Sequence, residues 1–535
     1  MVFKAQRVPY RLTNNFSPIV LDYLNCSDKL KPFYSGPPNF EGIKTAIEEK
    51  KKHKVDRKLL TDTLRMQYSL VEGSEMIVQH INLLDDENTF TICTAHQPNL
   101  FTGPLYFMYK ILHAIKLART LKEKLPQYNF VPVYYMGSED ADFAELNHTY
   151  VRGKKIEWEK EQTGAVGRMT VDKTLMSLIE ELQGQLYFEP HAGEVINLLK
   201  TSYEEGKDIQ IATFELINYL YGQYGLLVLI PDNAALKRLM LPVFKEDLFN
   251  KVSSSVVAAT SKALEKEYKV QANPREINLF YLKGHIRERI VSEKEGFIVH
   301  NTDIKFTTEE IEEELENYPE RFSPNVILRG LYQETILPNI AFIGGGGEMA
   351  YWLQLKELFT HYSVPFPVLI LRNSFLIVDK QAAGLMRKLG LKTEEIFASP
   401  FDLVNTLIDK AGKNPTLNGE LAQVEELYQS LHEVATGIDA TLSQHVAALK
   451  AKTVKGIADL GKKMMRSERK KHEVLQTAIK KLKENLFPLD DLQERVENFS
   501  SFHAHWGRAF IDELLEHSLS LEQEFIVLEE VDAVA

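Results

Sequence analysis

The chain has 535 residues, 44% of them hydrophobic and 26% charged, proportions that can bury a core beneath a polar surface. Its 63 basic and 75 acidic side chains give a formal net charge of −12. This disfavours nucleic acid as a partner, because a field of that sign repels a phosphate backbone. Two cysteines, no signal-peptide pattern at the first residues and no apolar run near the ~20 residues that cross a bilayer predict a cytoplasmic protein without a membrane span.

The charged run EEKKKHKVDRK, residues 48–58, is the first notable feature along the chain. It carries both signs of charge on a helical stretch, which is more typical of a solvated helix face than of a basic binding patch.

A βαβ unit follows the charged run. Residues 89–95 and 130–136 are mostly β-branched, aromatic and apolar, as in strands buried on both faces, and a helix with Pro104 in its first turn lies between them. Such a unit pairs its strands in parallel. Further strands are predicted at 226–230, 339–343 and 367–371, so the fold class is α/β with a Rossmann-like parallel-sheet core.

The predicted organisation has five segments. Residues 1–165 and 321–405 form the two parts of the Rossmann-like core, and 166–320 form an inserted connecting region interleaved with core strands. Residues 406–490 form a long α-helical coiled-coil hairpin, and 491–535 form a C-terminal helical segment.

The hairpin prediction depends on heptad-like spacing. The apolar residues with 3,4,3,4 spacing are Val424, Leu427, Leu431, Val434 and Ile438. Gly437 and Asp439 then supply a helix end and a helix start, before a second arm over 440–486. That arm is longer than the first, so apolar positions such as Val474, Leu475, Ile479 and Leu482 need cover, for which we expect a second subunit.

The loop TAHQPNLFTGP, residues 94–104, is the first candidate site. It follows a strand and leads into a helix, and ligands of open α/β sheets bind at that edge. Thr102 and Gly103 are predicted to bind an anion at the helix start, and His96 and Gln97 to donate hydrogen bonds. The alternative is an ordinary helix-capping turn.

The segment MGSEDADFAELNH, residues 136–148, is the second candidate site. Glu139, Asp140 and Asp142 are predicted to position Mg²⁺ or a substrate amine, and Asn147 with His148 to orient substrate or transfer a proton. A solvated acidic loop is the competing interpretation.

The third candidate is the turn of Gly344, Gly345, Gly346 and Gly347, followed by Glu348, between a strand and a helix that carries Tyr351. Four glycines can form a concave set of N–H groups for an anion, although the pattern is neither GxGxxG nor GxxxxGK[ST]. Glu348 favours an amine or a sugar hydroxyl instead. Arg329, Gln333 and Arg372 are candidate carboxylate-binding groups or structural partners. Neither cysteine has a catalytic context.

Four long blocks of the sequence carry a family resemblance. They are TAHQPNLFTGPLYFMYKILHAIKLA, VPVYYMGSEDADFAELNH, FSPNVILRGLYQETILPNIAFIGGGGEMAYWLQLK and MMRSERKKHEVLQTAIKKLKENLFPLDDLQERVENF. In this order they resemble BshC, the cysteine-adding enzyme family of bacillithiol biosynthesis, over nearly the whole chain.

The resemblance implies a Rossmann-type core related in layout to class I aminoacyl-tRNA synthetases, and a coiled coil that forms a homodimer. It implies a ligase that joins L-cysteine to glucosaminyl malate, with ATP and Mg²⁺ expected for carboxylate activation. The catalytic candidates are then His96, Glu139, Asp140, Asp142 and His148. The alternatives are a non-catalytic nucleotide-binding interaction protein and a ligase or transferase acting on another amine.

Two departures from the family pattern are visible. Many relatives have Gly-Gln-Gln where this chain has Ala95-His96-Gln97, and their glycine turn often contains a proline. Both changes fall in predicted site loops, so they leave open whether the product is bacillithiol or a variant of it.

Overall fold

The computed structural model describes residues 2–71, 73–160, 163–410, 417–470 and 473–531. The strands are β1 Val2–Pro9, β2 Thr89–His96, β3 Asn129–Met136, β4 His148–Val151, β5 Lys154–Glu157, β6 Leu227–Leu229, β7 Leu279–Lys283, β8 Ile286–Glu293, β9 Gly296–Val299, β10 Lys305–Phe306, β11 Phe322–Pro324, β12 Asn339–Gly344, β13 Val368–Leu371, β14 Phe375–Val378 and β15 Glu524–Val531.

The helices of the first two thirds of the chain are α1 Pro18–Leu24, α2 Phe40–Lys51, α3 Arg57–Tyr68, α4 Glu75–Leu83, α5 Tyr106–Lys124, α6 Phe143–Leu146, α7 Lys173–Leu186, α8 Ala192–Ser202, α9 Ile209–Tyr221, α10 Ala234–Arg238, α11 Leu241–Asn250, α12 Val252–Leu264, α13 Thr308–Asn317, α14 Val326–Ile336, α15 Gly346–Trp352 and α16 Lys356–His361. The remaining helices are α17 Lys380–Leu389, α18 Pro400–Lys410, α19 Asn418–Ile438, α20 Leu442–Lys470, α21 Glu473–Leu486, α22 Gln493–Val496, α23 Phe499–Trp506 and α24 Ala509–His517. None of these described helices is both long and apolar enough to cross a membrane.

The core is a five-stranded parallel sheet in the order β13-β12-β2-β3-β6. All five strands predicted from the sequence belong to it, which confirms the α/β class. Helix α5 connects β2 to β3 and buries Ala114 and Leu117 against the sheet, where Ile43 and Ile47 of α2 also pack. The strands are mostly apolar because helices cover both faces of the sheet.

Helix α5 begins at Tyr106 rather than at Pro104, because the preceding loop makes a tight turn first. Phe101 and Thr102 have φ angles of 49° and 71°, and Gly103 has φ 65°. The Asn498 side chain donates hydrogen bonds of 2.9 Å to the Phe101 carbonyl and 2.6 Å to the Gly103 carbonyl. A residue almost 400 positions away therefore fixes this loop, and no local pattern reveals it.

The inserted region contains a second sheet that the sequence analysis did not predict. Its strands are antiparallel in the order β10-β9-β8-β7-β11. Strand β6 of the core precedes this sheet, and β12 of the core follows it.

The chain divides into two compact units, Met1–Ile377 with Asp491–Ala535 and Val378–Asp490. In the first unit the two ends of the chain meet, because β1 pairs antiparallel with β15 from Val2↔Val531 to Pro9↔Glu524.

The second unit contains the predicted helical hairpin, formed by α19 and α20. The Tyr428 hydroxyl lies 2.8 Å from the Thr453 hydroxyl, and His432 Nε2 lies 2.8 Å from the Ser443 hydroxyl. The apolar stripe predicted to form the seam is mostly exposed rather than packed between the two helices. Its exposed members are Leu427 at 55%, Leu431 at 45%, Val434 at 61% and Ile438 at 78%.

The second arm also differs from the prediction. It comprises α20 and α21, and residues 471–472 between them lie outside the described residues. Ile479 and Leu482 are each 1% exposed, because α21 packs against α17 and α18 of the same unit. Cover by a second subunit is therefore unnecessary at these two positions, whereas Val474 is 86% exposed.

The charged run 48–58 is a solvated surface only in part. Lys50 is 3% exposed, and its ammonium lies 3.7 Å from the carboxylate of Glu334, which is fully buried. The same ammonium donates to the carbonyls of Glu334 at 3.1 Å and Leu337 at 3.3 Å. This buried ion pair joins α2 to the end of α14 and the start of β12.

We predict that Lys50→Met lowers the unfolding free energy of the first unit by about 3–5 kcal/mol, because it leaves the Glu334 carboxylate buried without its cation. The matched control is Lys52→Met, which removes an exposed lysine of the same helix region and should cost less than about 1 kcal/mol. Denaturant unfolding followed by tryptophan fluorescence measures this, since all three tryptophans, at 158, 352 and 506, lie in the first unit. Equal midpoints for the two variants would contradict the prediction.

Candidate active site

Two adjoining cavities lie at the carboxyl edge of the parallel sheet, where ligands of open α/β sheets bind. Lobe A, of about 430 Å³, is lined by the residues after β3 and by the inserted sheet. Lobe B, of about 580 Å³, is lined by the residues after β2, β12 and β13. Gln97 and Arg329 line both lobes, so they form a neck between them.

A hydrogen-bond chain runs through the neck. Gln97 donates through Nε2 to Asp140 at 3.2 Å, and its Oε1 lies 2.7 Å from His96 Nδ1. Because the carboxylate only accepts, Nε2 must face Asp140, and the amide oxygen then requires a proton on His96 Nδ1. Burial lowers the pKa of His96 well below its usual range, with Lys110 acting in the same direction. The imidazole is therefore neutral, with one fixed tautomer.

Asp140 also faces the cation of the neck. Its carboxylate lies 3.9 Å from the Arg329 guanidinium and accepts from the Asp142 backbone N–H at 3.2 Å. Burial favours the neutral acid, but Arg329 and Arg287 together lower the pKa of Asp140. It is therefore ionised at neutral pH and holds Arg329 between the two lobes.

The wall of lobe A contains a buried ionic network. Glu139 pairs with Lys237, which is fully buried and lies 3.6 Å from Asp232. Arg168 makes a bidentate pair with Asp232, at 2.6 and 2.7 Å. Burial raises the pKa of Glu139, although Lys237 opposes the shift. Lys237, the cation behind the cavity wall, is the ion-pair partner of Glu139.

Lobe B contains a second buried pair at the glycine turn. Lys110 pairs with Glu348 and donates to the Ala95 carbonyl at 2.8 Å. Glu348 also accepts from the Gly345 backbone N–H at 2.8 Å. The carboxylate predicted to hold a substrate amine is thus already bound to a lysine of the protein, and Gly345, Gly346 and Gly347 line the cavity beside it.

Two further predicted residues line lobe B. Arg372 pairs with the buried carboxylate of Glu494 at 2.7 Å and lies over the Tyr106 ring at 5.1 Å from its centroid. Tyr351 borders the cavity and interacts with Arg329. Both therefore help to fix the wall around the neck.

Several predicted residues lie outside both lobes. Thr102 and Gly103 belong to the tight turn before α5 and contact neither cavity, so they do not form an anion site at the helix start. Gln333 is buried and donates to Glu334 at 2.8 Å, which makes it a structural partner of the Lys50 pair. Gly344 is the last residue of β12, and its carbonyl accepts from the Arg372 backbone N–H.

Three predicted residues of the acidic segment 136–148 also lie outside both cavities. Asp142 caps the short helix α6 by accepting from the Glu145 N–H. Asn147 donates to the Trp158 carbonyl at 3.1 Å, and His148 Nδ1 lies 3.2 Å from the Asn147 amide oxygen, both away from the cavities. Within the described ranges no group of three or more His, Cys, Asp or Glu side chains is placed to hold a metal ion.

Cys93 is a buried strand residue, as the sequence indicated. Cys93 is fully buried in β2, and burial raises the pKa of its thiol well above the usual range. Such a thiol is unreactive.

Sequence reasoning missed five basic residues that line the lobes: Arg275, Arg287, Arg289, Lys110 and Arg495. Arg287 and Arg289 alternate along β8, which places them on one face of the strand. Lys110 interrupts the apolar face of α5, and a lysine among Phe107, Ile111 and Ala114 was a usable signal.

Comparison with known proteins gives two family matches. Residues 3–373 match the bacillithiol biosynthesis BshC N-terminal Rossmann-like domain, and residues 375–530 match the BshC C-terminal coiled-coil domain.

Relatives that align over most of the chain agree with these two family matches. A protein of Flavobacterium psychrophilum named "Putative cysteine ligase BshC" is 40% identical over 97% of this chain and 98% of the relative. A protein of Flavobacterium johnsoniae with the same name is 40% identical over 97% of this chain and 99% of the relative. One from Chlorobaculum tepidum is 30% identical over 88% of each chain.

A solved structure titled "putative arginyl t-RNA synthetase" from Campylobacter jejuni covers 82% of this chain and 94% of its own, at 10% identity and a TM-score of 0.23. That score supports no argument about layout, so the relation to class I synthetases stays a prediction. The two domain matches and the full-length identities confirm the predicted family and the enzyme class, a ligase. The chain belongs to the bacillithiol biosynthesis BshC family.

Proposed function

We propose that the protein joins the carboxyl group of L-cysteine to the amine of glucosaminyl malate, the last step of bacillithiol biosynthesis. The family relationship supports this assignment. The observation that carries it is the two-lobed cavity, because a ligase must bring two substrates together and the lobes adjoin at a neck formed by Gln97 and Arg329.

Amide formation in water requires an activated carboxyl group, for which we propose ATP, with Mg²⁺ accompanying its phosphates. The C–N bond then forms as the bond between the carboxyl carbon and the activating phosphate oxygen breaks. The ammonium form of the amine must lose one proton before this attack and a second as the amide forms, and the phosphate leaves with the electron pair of the broken C–O bond. An enzyme that uses ATP and free small substrates suits the predicted cytoplasmic location.

The residues of the neck supply positioning and charge in this proposal. Arg329 faces both lobes and would stabilise negative charge that develops on the reacting carbonyl oxygen, as preorganised donors do in other acyl transfers. Asp140 and Gln97 hold this guanidinium and the His96 ring in place. A second substrate at the neck would thus meet the first at a defined distance.

The function is tested by mass spectrometry of the purified protein incubated with glucosaminyl malate, cysteine, ATP and Mg²⁺, omitting each in turn. We expect a product of the mass of bacillithiol only in the complete mixture. Product without ATP would exclude the activation step. Nucleotide binding without any product would favour a non-catalytic interaction protein, and product from a different amine would favour a ligase with another substrate.

We predict that Asp140→Asn lowers kcat/KM by roughly 10- to 100-fold, because the substituted amide lacks the charge that holds Arg329. The side-chain amide still offers an oxygen to the Asp142 N–H, but its Nδ2 then faces the donor Nε2 of Gln97, so the unfolding free energy should fall by about 1–3 kcal/mol.

The matched control for this variant is Asp142→Asn, which removes the neighbouring carboxylate outside both lobes and keeps the helix cap, since asparagine caps helices well. It should retain turnover. Equal losses of turnover in the two variants would contradict the role given to Asp140.

We also propose a homodimer that covers the exposed apolar stripe Leu427, Leu431, Val434 and Ile438 of α19. Leu431→Lys should convert the dimer to a monomer, measured by light scattering after size-exclusion chromatography. The control is Phe188→Lys, which changes a 93% exposed residue of the first unit and should leave the mass unchanged. A monomeric wild-type protein would contradict the proposal.

A further inference from the structure

Lobe A has an unbalanced charge. Four arginines line it, namely Arg275, Arg287, Arg289 and Arg329, against two carboxylates, those of Glu139 and Asp140. Glu139 already pairs with Lys237 behind the wall, and Asp140 faces Arg329 at 3.9 Å. In the described part of the chain, the other three guanidiniums that border this cavity have no ion-pair partner.

Lobe B provides the contrast within the same site. Its basic residues already have carboxylate partners: Lys110 pairs with Glu348, Arg372 with Glu494 at 2.7 Å, and Arg495 with Asp491 at 3.2 Å. The unpaired positive charge is therefore specific to lobe A and does not follow from a generally basic edge of the sheet.

Two of these arginines, Arg287 and Arg289, lie on strand β8 of the inserted sheet. Arg287 donates through Nε to the Ser323 hydroxyl at 3.1 Å and stacks over the Phe280 ring, with its guanidinium carbon 4.1 Å from the centroid. Within the described residues its terminal nitrogens have no hydrogen-bond acceptor. Arg289 lies two residues further along β8, opposite Phe280, and thus on the same face as Arg287. Fixed guanidiniums suit planar carboxylates, which they bind with two parallel hydrogen bonds.

We infer that lobe A binds the dicarboxylate part of the amine substrate, through Arg275, Arg287 and Arg289. This rests on the proposed function, in which the amine substrate carries a malyl group. Two carboxylates offset the charge of two of the three unpaired guanidiniums, and the amine of the same molecule would extend toward the neck. Lobe B is left for the carboxyl substrate and its activation.

The test is isothermal titration of the full-length protein with malate, lactate and inorganic phosphate. Malate should bind, and lactate, which lacks the second carboxylate, should bind at least about tenfold more weakly, as expected for the loss of one charged hydrogen-bonded group. Phosphate that binds as tightly as malate would overturn the dicarboxylate assignment and indicate a general anion site.

Arg289→Gln and Arg275→Gln should each weaken malate binding and raise the KM for glucosaminyl malate by about 10- to 100-fold, with a smaller change in kcat. Arg275 is exposed on a loop, so its replacement does not threaten folding. The matched control is Lys294→Gln, which removes an exposed positive charge after β8, outside lobe A, and should change neither value. Unchanged malate affinity in both arginine variants would overturn the inference.

These measurements separate the inference from the proposed function. Malate binding needs neither cysteine nor ATP, so arginine-dependent binding by a protein that forms no product would retain the inference and reject the ligation. Product formation with a KM that is insensitive to both arginines would retain the ligation and reject the inference.

Discussion

The parallel pairing of β2, β3, β12 and β13 is the constraint on which the candidate site depends. Parallel strands end at one edge of a sheet, and the residues that follow these strands, from Gln97 to Arg372, are separated by up to 275 positions in the sequence. The sheet can be parallel only because helices such as α2 and α5 cover its faces, so the strands are mostly apolar and carry no Asp, Glu, Lys or Arg. Charged side chains are thereby confined to the residues that follow the strands, where they meet.

The charges at this edge are arranged in pairs that face inward. Lys237 pairs with Glu139, Glu348 pairs with Lys110, and Glu494 pairs with Arg372. Each pair fixes a wall of the cavity and removes that charge from competition for substrate. What remains is the neck, where Arg329 and Asp140 face each other at 3.9 Å, and the unpaired arginines of lobe A. Only these few charges, which have no close partner within the protein, are available to select a ligand.

Two parts of the chain outside the parallel sheet complete the site. The inserted antiparallel sheet carries Arg287 and Arg289 to lobe A, and the C-terminal segment supplies Glu494 to Arg372 and Asn498 to the loop before α5. In the proposed function the core provides the reaction edge, while the insertion provides a surface for one substrate. Under that proposal the amine substrate could change through changes in the insertion alone.

The sequence by itself determined the α/β class, the five core strands, the helical hairpin and the family, because each depends on local periodicity or on long ordered blocks. It also indicated the three segments that border the cavities. Only the tertiary structure decided which side chains in them face a ligand. Thr102 turns away because Asn498 holds its loop, Glu348 is taken by Lys110, and Asp142 caps a helix. The spacing of apolar residues in α19 predicted a packing seam, but it did not indicate which partner covers it. Partners distant in sequence fix these orientations, and the pairing of buried charges is a property of three-dimensional packing that residue spacing does not encode.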